Sequence, residues 1–126
     1  NMTSKFFNGH DAADRIMLRK DKVEVGHWTK SLEYINEELG LLLALEDRFL
    51  NDSMLHVELL ALQGENTKKS GIMYRYESTM RNAWECDDVA CDTYHLDNHE
   101  KHRELYVEHL ESYRKLKCKV FSRLLA

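Results

Sequence analysis

No proline occurs among the 126 residues, and only five glycines interrupt them. Proline marks turns and strand edges and breaks helices, so a chain without it is free to run in long uninterrupted helices. The apolar residues agree. In HWTKSLEYINEELGLLLALEDRFL, the residues Trp28, Leu32, Ile35, Leu39, Leu42, Glu46 and Phe49 step by four and three. That is the a/d seam of a packed, coiled-coil-like helix, broken once by a glutamate. The spacing predicts a first helix over about 22–50. The segment Asn51-Asp52-Ser53 then supplies a tight link and an N-cap, because its side-chain oxygens can accept from free backbone N–H groups.

A second helix is expected over about 53–85, with Leu55, Leu59, Leu62, Asn66, Lys69, Met73, Tyr76, Met80 and Ala83 on its seam. Its middle, GENTKKSG at 64–71, is weak, since two glycines and a polar run each lower helix stability. One long helix with a soft centre is the expectation, and a break there is the alternative. Asp87 and Asp88 can cap a third helix over about 88–124. Leu96, His99, Arg103, Tyr106, Leu110, Tyr113, Lys117, Phe121 and Leu124 are expected to share its packed face. Residues 1–20 read as a tail, with a short helix around 11–20 as an option. Asn1 ahead of Met2 reads as an added residue. Three long helices joined by short links form an up-down-up antiparallel bundle in a single all-α domain over 1–126.

Composition narrows the function. Hydrophobic residues make up 43% and charged residues 32%, the balance of a globular chain with a heavily charged surface. The formal net charge of -4 argues against a phosphate-backbone binder, so no nucleic-acid partner is expected. The basic run RIMLRKDK at 15–22 reads as a solvated face. Glu38 and Glu46 lie near the first-helix seam, where a buried carboxylate needs a partner such as Arg48 or a lysine of the third helix. No apolar run is long enough to span a membrane, and no secretory leader is visible. Three cysteines argue against a disulfide framework, and a reducing cytoplasm is the expected home.

The first-helix seam HWTKSLEYINEELGLL, the later histidine-rich helix and the RLLA ending resemble a set of short bacterial helical proteins. The resemblance covers about residues 25–125. It implies the helical-bundle fold and brings no activity with it.

Residues 95–102 read HLDNHEKH. Asp88, Asp92, His95, His99 and His102 recur at three and four, which stacks them in a column on one helix face. His99 is expected nearest the seam, with the others along a shoulder and His109 continuing toward the flank. The turns bring Glu24, His27, Trp28, Met73, Tyr76 and Met80 to the same end of the bundle. Histidines one turn apart can chelate a single ion, and imidazole suits zinc, iron, copper and nickel. Glu24 and His27 have the E-x-x-H spacing that di-iron bundles use, and Asp92 with His95 imitates it. The candidate ligands are therefore His27, His95, His99, His102, Glu24 and Asp92. The candidate ions are zinc, iron and nickel. A variant draws on Cys86 and Cys91 with His95 and His99. The competing reading is a polar shoulder whose rings pack and point one nitrogen at water.

These features support two functions. The first expectation is a non-enzymatic interaction or scaffold module that self-associates as a homodimer or other homo-oligomer. Its motive is the excess of apolar residues where the first and second helices meet. The alternative is a transition-metal-binding bundle. No glycine-rich phosphate loop, H-E-x-x-H or nucleophile elbow points to catalysis.

Overall fold

The computed structural model describes the backbone of residues 2–83 and 89–126, and the side chains of residues 13, 15–80 and 93–126. Three long helices, α1 (Met2–Leu45), α2 (Ser53–Ala83) and α3 (Val89–Leu125), make up an all-α bundle with no strand among these residues. Among them no helix is long and apolar enough to cross a membrane.

Burial repeats by heptads. On α1 the buried apolar residues are Val25, Trp28, Leu32, Ile35, Leu39 and Leu42, each three or four positions from the last. Leu55, Leu59, Asn66, Met73, Tyr76 and Met80 supply the stripe of α2, with half-buried Leu62 and Lys69 filling the gaps. An average step of 3.5 keeps one stripe facing the partners along the whole length of each helix.

Cross-helix contacts give the directions. Glu24 meets His99, Ser31 meets Tyr106 and Glu38 meets Tyr113, each pair 75 residues apart in sequence. This is a parallel ladder with one rung per heptad, so α1 and α3 run the same way. Along α2 the order reverses. Asp52, Glu58, Asn66 and Tyr76 meet Arg123, Lys119, His109 and His99 of α3 in turn. Glu46 and Leu32 likewise meet His56 and Asn66 of α2. The pattern is up, down, up.

Three features differ from the sequence expectations. Of residues 1–20, read as a tail with a short helix around 11–20 as an option, residues 2–20 continue the first helix. The soft centre of α2 stays helical, as expected, and does not break. There Asn66, only 1% exposed, donates from Nδ2 to the Leu32 carbonyl at 2.8 Å and accepts from His109 Nε2 at 2.8 Å. The end of the first helix widens into a π turn, Glu46–Leu50, closed by Asn51 N–H donating to the Glu46 carbonyl at 2.8 Å. A π turn inserts an extra residue and rotates the positions after it. Phe49, expected on the seam, is therefore turned out and is 61% exposed. Asn51 is left-handed with φ 48, a conformation asparagine tolerates, and Asp52 Oδ1 accepts from Leu55 N–H as the cap of α2.

The third correction concerns α3. Leu96 and Phe121 are exposed, whereas His95, His99, His109, Tyr113, Leu116 and Val120 are buried. The packed stripe sits about one residue round from the expected face. His95 and His109, expected on the shoulder and flank, join His99 on the inner stripe of α3, while His102 is half-buried beside it.

Candidate metal centre

Three elements build the site. α1 brings Asp21, Glu24 and Trp28, which share its inner face at spacings of three and four. α2 brings Tyr76. α3 brings His95, His99, His102 and Arg103. The parallel ladder sets Glu24 level with His99, and the turn between α1 and α2 returns Tyr76 to that height.

His99 lies at the centre and is 3% exposed. The Tyr76 hydroxyl donates to its Nδ1 at 2.6 Å, and its Nε2–H donates to Glu24 Oε1 at 2.6 Å. The Trp28 ring stacks on it, with centroids 5.2 Å apart. One turn earlier, His95 Nε2–H donates to Asp21 Oδ2 at 3.2 Å, while Asp21 Oδ1 lies 3.5 Å from His99 Nε2. Both imidazoles therefore aim Nε2 at one carboxylate. Arg103 grips Glu24 with two bonds, Nε to Oε2 at 2.8 Å and Nη2 to Oε1 at 2.7 Å. Its Nη1 also meets Glu100.

This geometry sets the electrostatics. The Arg103 hydrogen bonds pull the Glu24 carboxyl down to about 2, against the opposing effect of burial, and His99 adds to the pull. Burial raises the Tyr76 hydroxyl well above its ordinary value, and the charges of Asp21 and Glu24 raise it further. Tyr76, His99 and Glu24 thus stand in the order of a nucleophile, a base and an orienting carboxylate. A buried phenol that holds its proton this firmly makes a poor nucleophile.

Asp21, His95 and His99 offer donor atoms that all lie within 4.8 Å of one another. Two imidazole nitrogens and a carboxylate oxygen suit zinc, iron or nickel. For the ion to bind, the His99 proton must leave Nε2. The Tyr76 hydroxyl permits this, because it can accept from Nδ1–H as readily as it donates to Nδ1.

The expected ligands fare unequally. His95 and His99 come together, and Glu24 touches His99. His27 is exposed, about 100° round α1 from Trp28, and does not join the cluster. His102 stacks on Tyr76 at 3.9 Å, and its Nδ1–H donates to the Asn98 carbonyl at 2.6 Å. Asp92, Cys86, Cys91, Asp87 and Asp88 lie outside the residues whose side chains are described. Sequence reasoning missed Asp21, whose signal was its spacing of three before Glu24 and seven before Trp28. It placed Tyr76 near the site and Arg103 on the packed face of the third helix without giving either a partner.

The two carboxylates near the first-helix seam are both paired. Glu46, 3% exposed, accepts from His56 Nδ1 at 2.6 Å across the π turn, in place of the expected Arg48. Glu38 takes a lysine of the third helix, as the sequence suggested, with Lys117 Nζ at 3.2 Å beside the Tyr113 hydroxyl. No family profile, curated protein or solved structure matches the chain.

Proposed function

We propose that this chain is a transition-metal-binding helical bundle, acting as a carrier, sensor or oxidase-like protein. The carrying observation is the convergence of Asp21, His95 and His99 within 4.8 Å, with Asp21 and His95 74 residues apart in sequence. An i, i+4 histidine pair is preset for chelation, and the carboxylate arrives on an independent element. Tyr76 supplies the outer hydrogen bond that metal-binding imidazoles usually need. Metal analysis of untagged protein, purified without chelator and then reloaded with zinc, iron or nickel, tests the reading. Stoichiometric metal supports it. A chain that stays empty after reloading refutes it.

A second reading is a self-associating interaction module, a homodimer or other homo-oligomer. Phe49, Met54, Val57, Leu60 and Leu125 are all large, apolar and exposed near the turn that joins α1 to α2. Exposed apolar clusters of this kind mark association surfaces. Light scattering across a range of concentrations decides it, and a monomer throughout removes it.

A further inference from the structure

Glu24 Oε1 lies 2.6 Å from His99 Nε2, the nitrogen that an ion would take. The Asp21 oxygens lie 3.2 Å from His95 Nε2 and 3.5 Å from His99 Nε2. Two ligands of one tetrahedral ion, each about 2.0–2.1 Å from it, stand about 3.3 Å apart. The Asp21 separations already match that spacing. The Glu24–His99 separation opens toward it once an ion replaces the proton between them. Oε1 now accepts two bonds, from His99 Nε2–H and from Arg103 Nη2 at 2.7 Å, while Arg103 Nε holds Oε2 at 2.8 Å. A carboxylate oxygen has two lone pairs. An ion in place of the His99 proton takes the one that faces His99 and leaves the Arg103 fork intact. That bidentate pair fixes both the plane and the position of the carboxylate. Charge also balances. Two carboxylates offset a divalent ion, and Glu100 answers Arg103 through Nη1.

We infer that Glu24 is the fourth ligand and that Arg103 is the positioning residue that presents it to the ion. The inference rests on the metal-binding reading of Asp21, His95 and His99 and deepens it. Four protein ligands close a tetrahedral site, whereas catalytic zinc keeps a position open. A closed sphere of two imidazoles and two carboxylates suits zinc and leaves no position for a substrate. It narrows the reading to a carrier or sensor.

Cobalt(II) reports the sphere, because its visible absorption is several-fold stronger with four ligands than with five or six, and azide shifts it where a position is open. The full chain is titrated with cobalt beside Glu24→Gln, Arg103→Met and the double variant, with far-UV circular dichroism checking that each is folded. The unaltered chain is expected to give strong bands that azide does not move. Glu24→Gln should bind more weakly and give bands that azide shifts. Arg103→Met should lose about 10–100-fold in affinity yet keep strong, azide-resistant bands at saturation, because it removes the support and not the ligand. The double variant should bind no more weakly than Glu24→Gln, because Arg103 acts through Glu24. Azide-sensitive bands in the unaltered chain, or azide-resistant bands in Glu24→Gln, overturn the inference while the metal reading stands. Unaltered affinity in Arg103→Met, or a further loss in the double variant, does the same. The azide test on the unaltered chain holds even where a variant fails to fold. No cobalt bands in the unaltered chain overturn the metal reading, and this inference with it.

Discussion

The Tyr76 hydroxyl meets the His99 Nδ1 at 2.6 Å, so the ring nitrogen turned away from Asp21 is held by a buried phenol. That bond sets which way the central imidazole faces and which nitrogen is left for an ion. Tyr76→Phe keeps the ring and its stacking on His102 but removes the hydroxyl. Metal affinity is expected to fall by about 10–100-fold, the usual cost of losing an outer hydrogen-bond partner. The helical circular dichroism signal should stay as it was. Competition titration against a coloured chelator measures the change, and unaltered affinity would deny Tyr76 this role.

The Asn66 amide is the hinge of a second buried network. It joins all three helices, donating to the Leu32 carbonyl and accepting from His109. Asn66→Ala strands the buried His109 Nε2–H, at about 1–3 kcal/mol, and removes the second bond to the Leu32 carbonyl, which keeps its helical partner. Combined with His109→Ala, the losses should fail to add, by about 0.5–3 kcal/mol, because both variants break the same bond. Urea unfolding of the four proteins of the cycle gives the coupling directly. Strict additivity would mean that the two side chains act independently.

His109 also makes a pH prediction. Burial, aided by the charge of Lys69, lowers its pKa from the ordinary 6.5. The unfolded chain therefore takes up a proton at a higher pH than the folded one. Stability from this group is complete above 6.5 and declines as pH falls below it toward the folded value. His109→Gln retains a side-chain amide donor for Asn66 and does not titrate. Urea midpoints at about pH 7.5 and about pH 5.5 should differ less in this variant than in the unaltered chain. An equal fall in both would place the pH sensitivity elsewhere.

The π turn separates two residues that the sequence puts on one seam. Leu39 is fully buried, and Leu39→Ala is expected to cost about 2–5 kcal/mol. Phe49, beyond Leu45, is 61% exposed, and Phe49→Ala should change stability by no more than about 0.5 kcal/mol. Thermal or urea unfolding distinguishes them. A large loss at Phe49 would mean that its ring is covered in solution, as self-association at that end would require.

The bundle was legible because each helix carries its own heptad stripe, which is a local property. The pairing of His95 with His99 was legible for the same reason, since two histidines one turn apart must share a face. Asp21 was not. It lies ahead of Trp28, where the apolar period fades and no longer marks the chain as helical. Arg103 sat on the expected seam, and a guanidinium there needs an opposing carboxylate. Which carboxylate depends on how α1 and α3 align, and that register comes from packing. The one-residue rotation of α3 has a similar origin. Leu96 and Phe121 look like core residues by type, yet the polar His95 and His109 are inside because Asp21 and Asn66 stand opposite to satisfy them. The π turn leaves no mark in the sequence beyond a glutamate at a seam position.

Whether Asp21, His95 and His99 bind one metal ion is decided by calorimetric titration with zinc and with nickel, on the unaltered chain and on single alanine variants. One ion per chain is expected, with affinity lost in Asp21→Ala, His95→Ala and His99→Ala and retained in His27→Ala. Binding that is absent, or that survives all three ligand substitutions, would contradict the site and leave the cluster as a purely structural hydrogen-bond network.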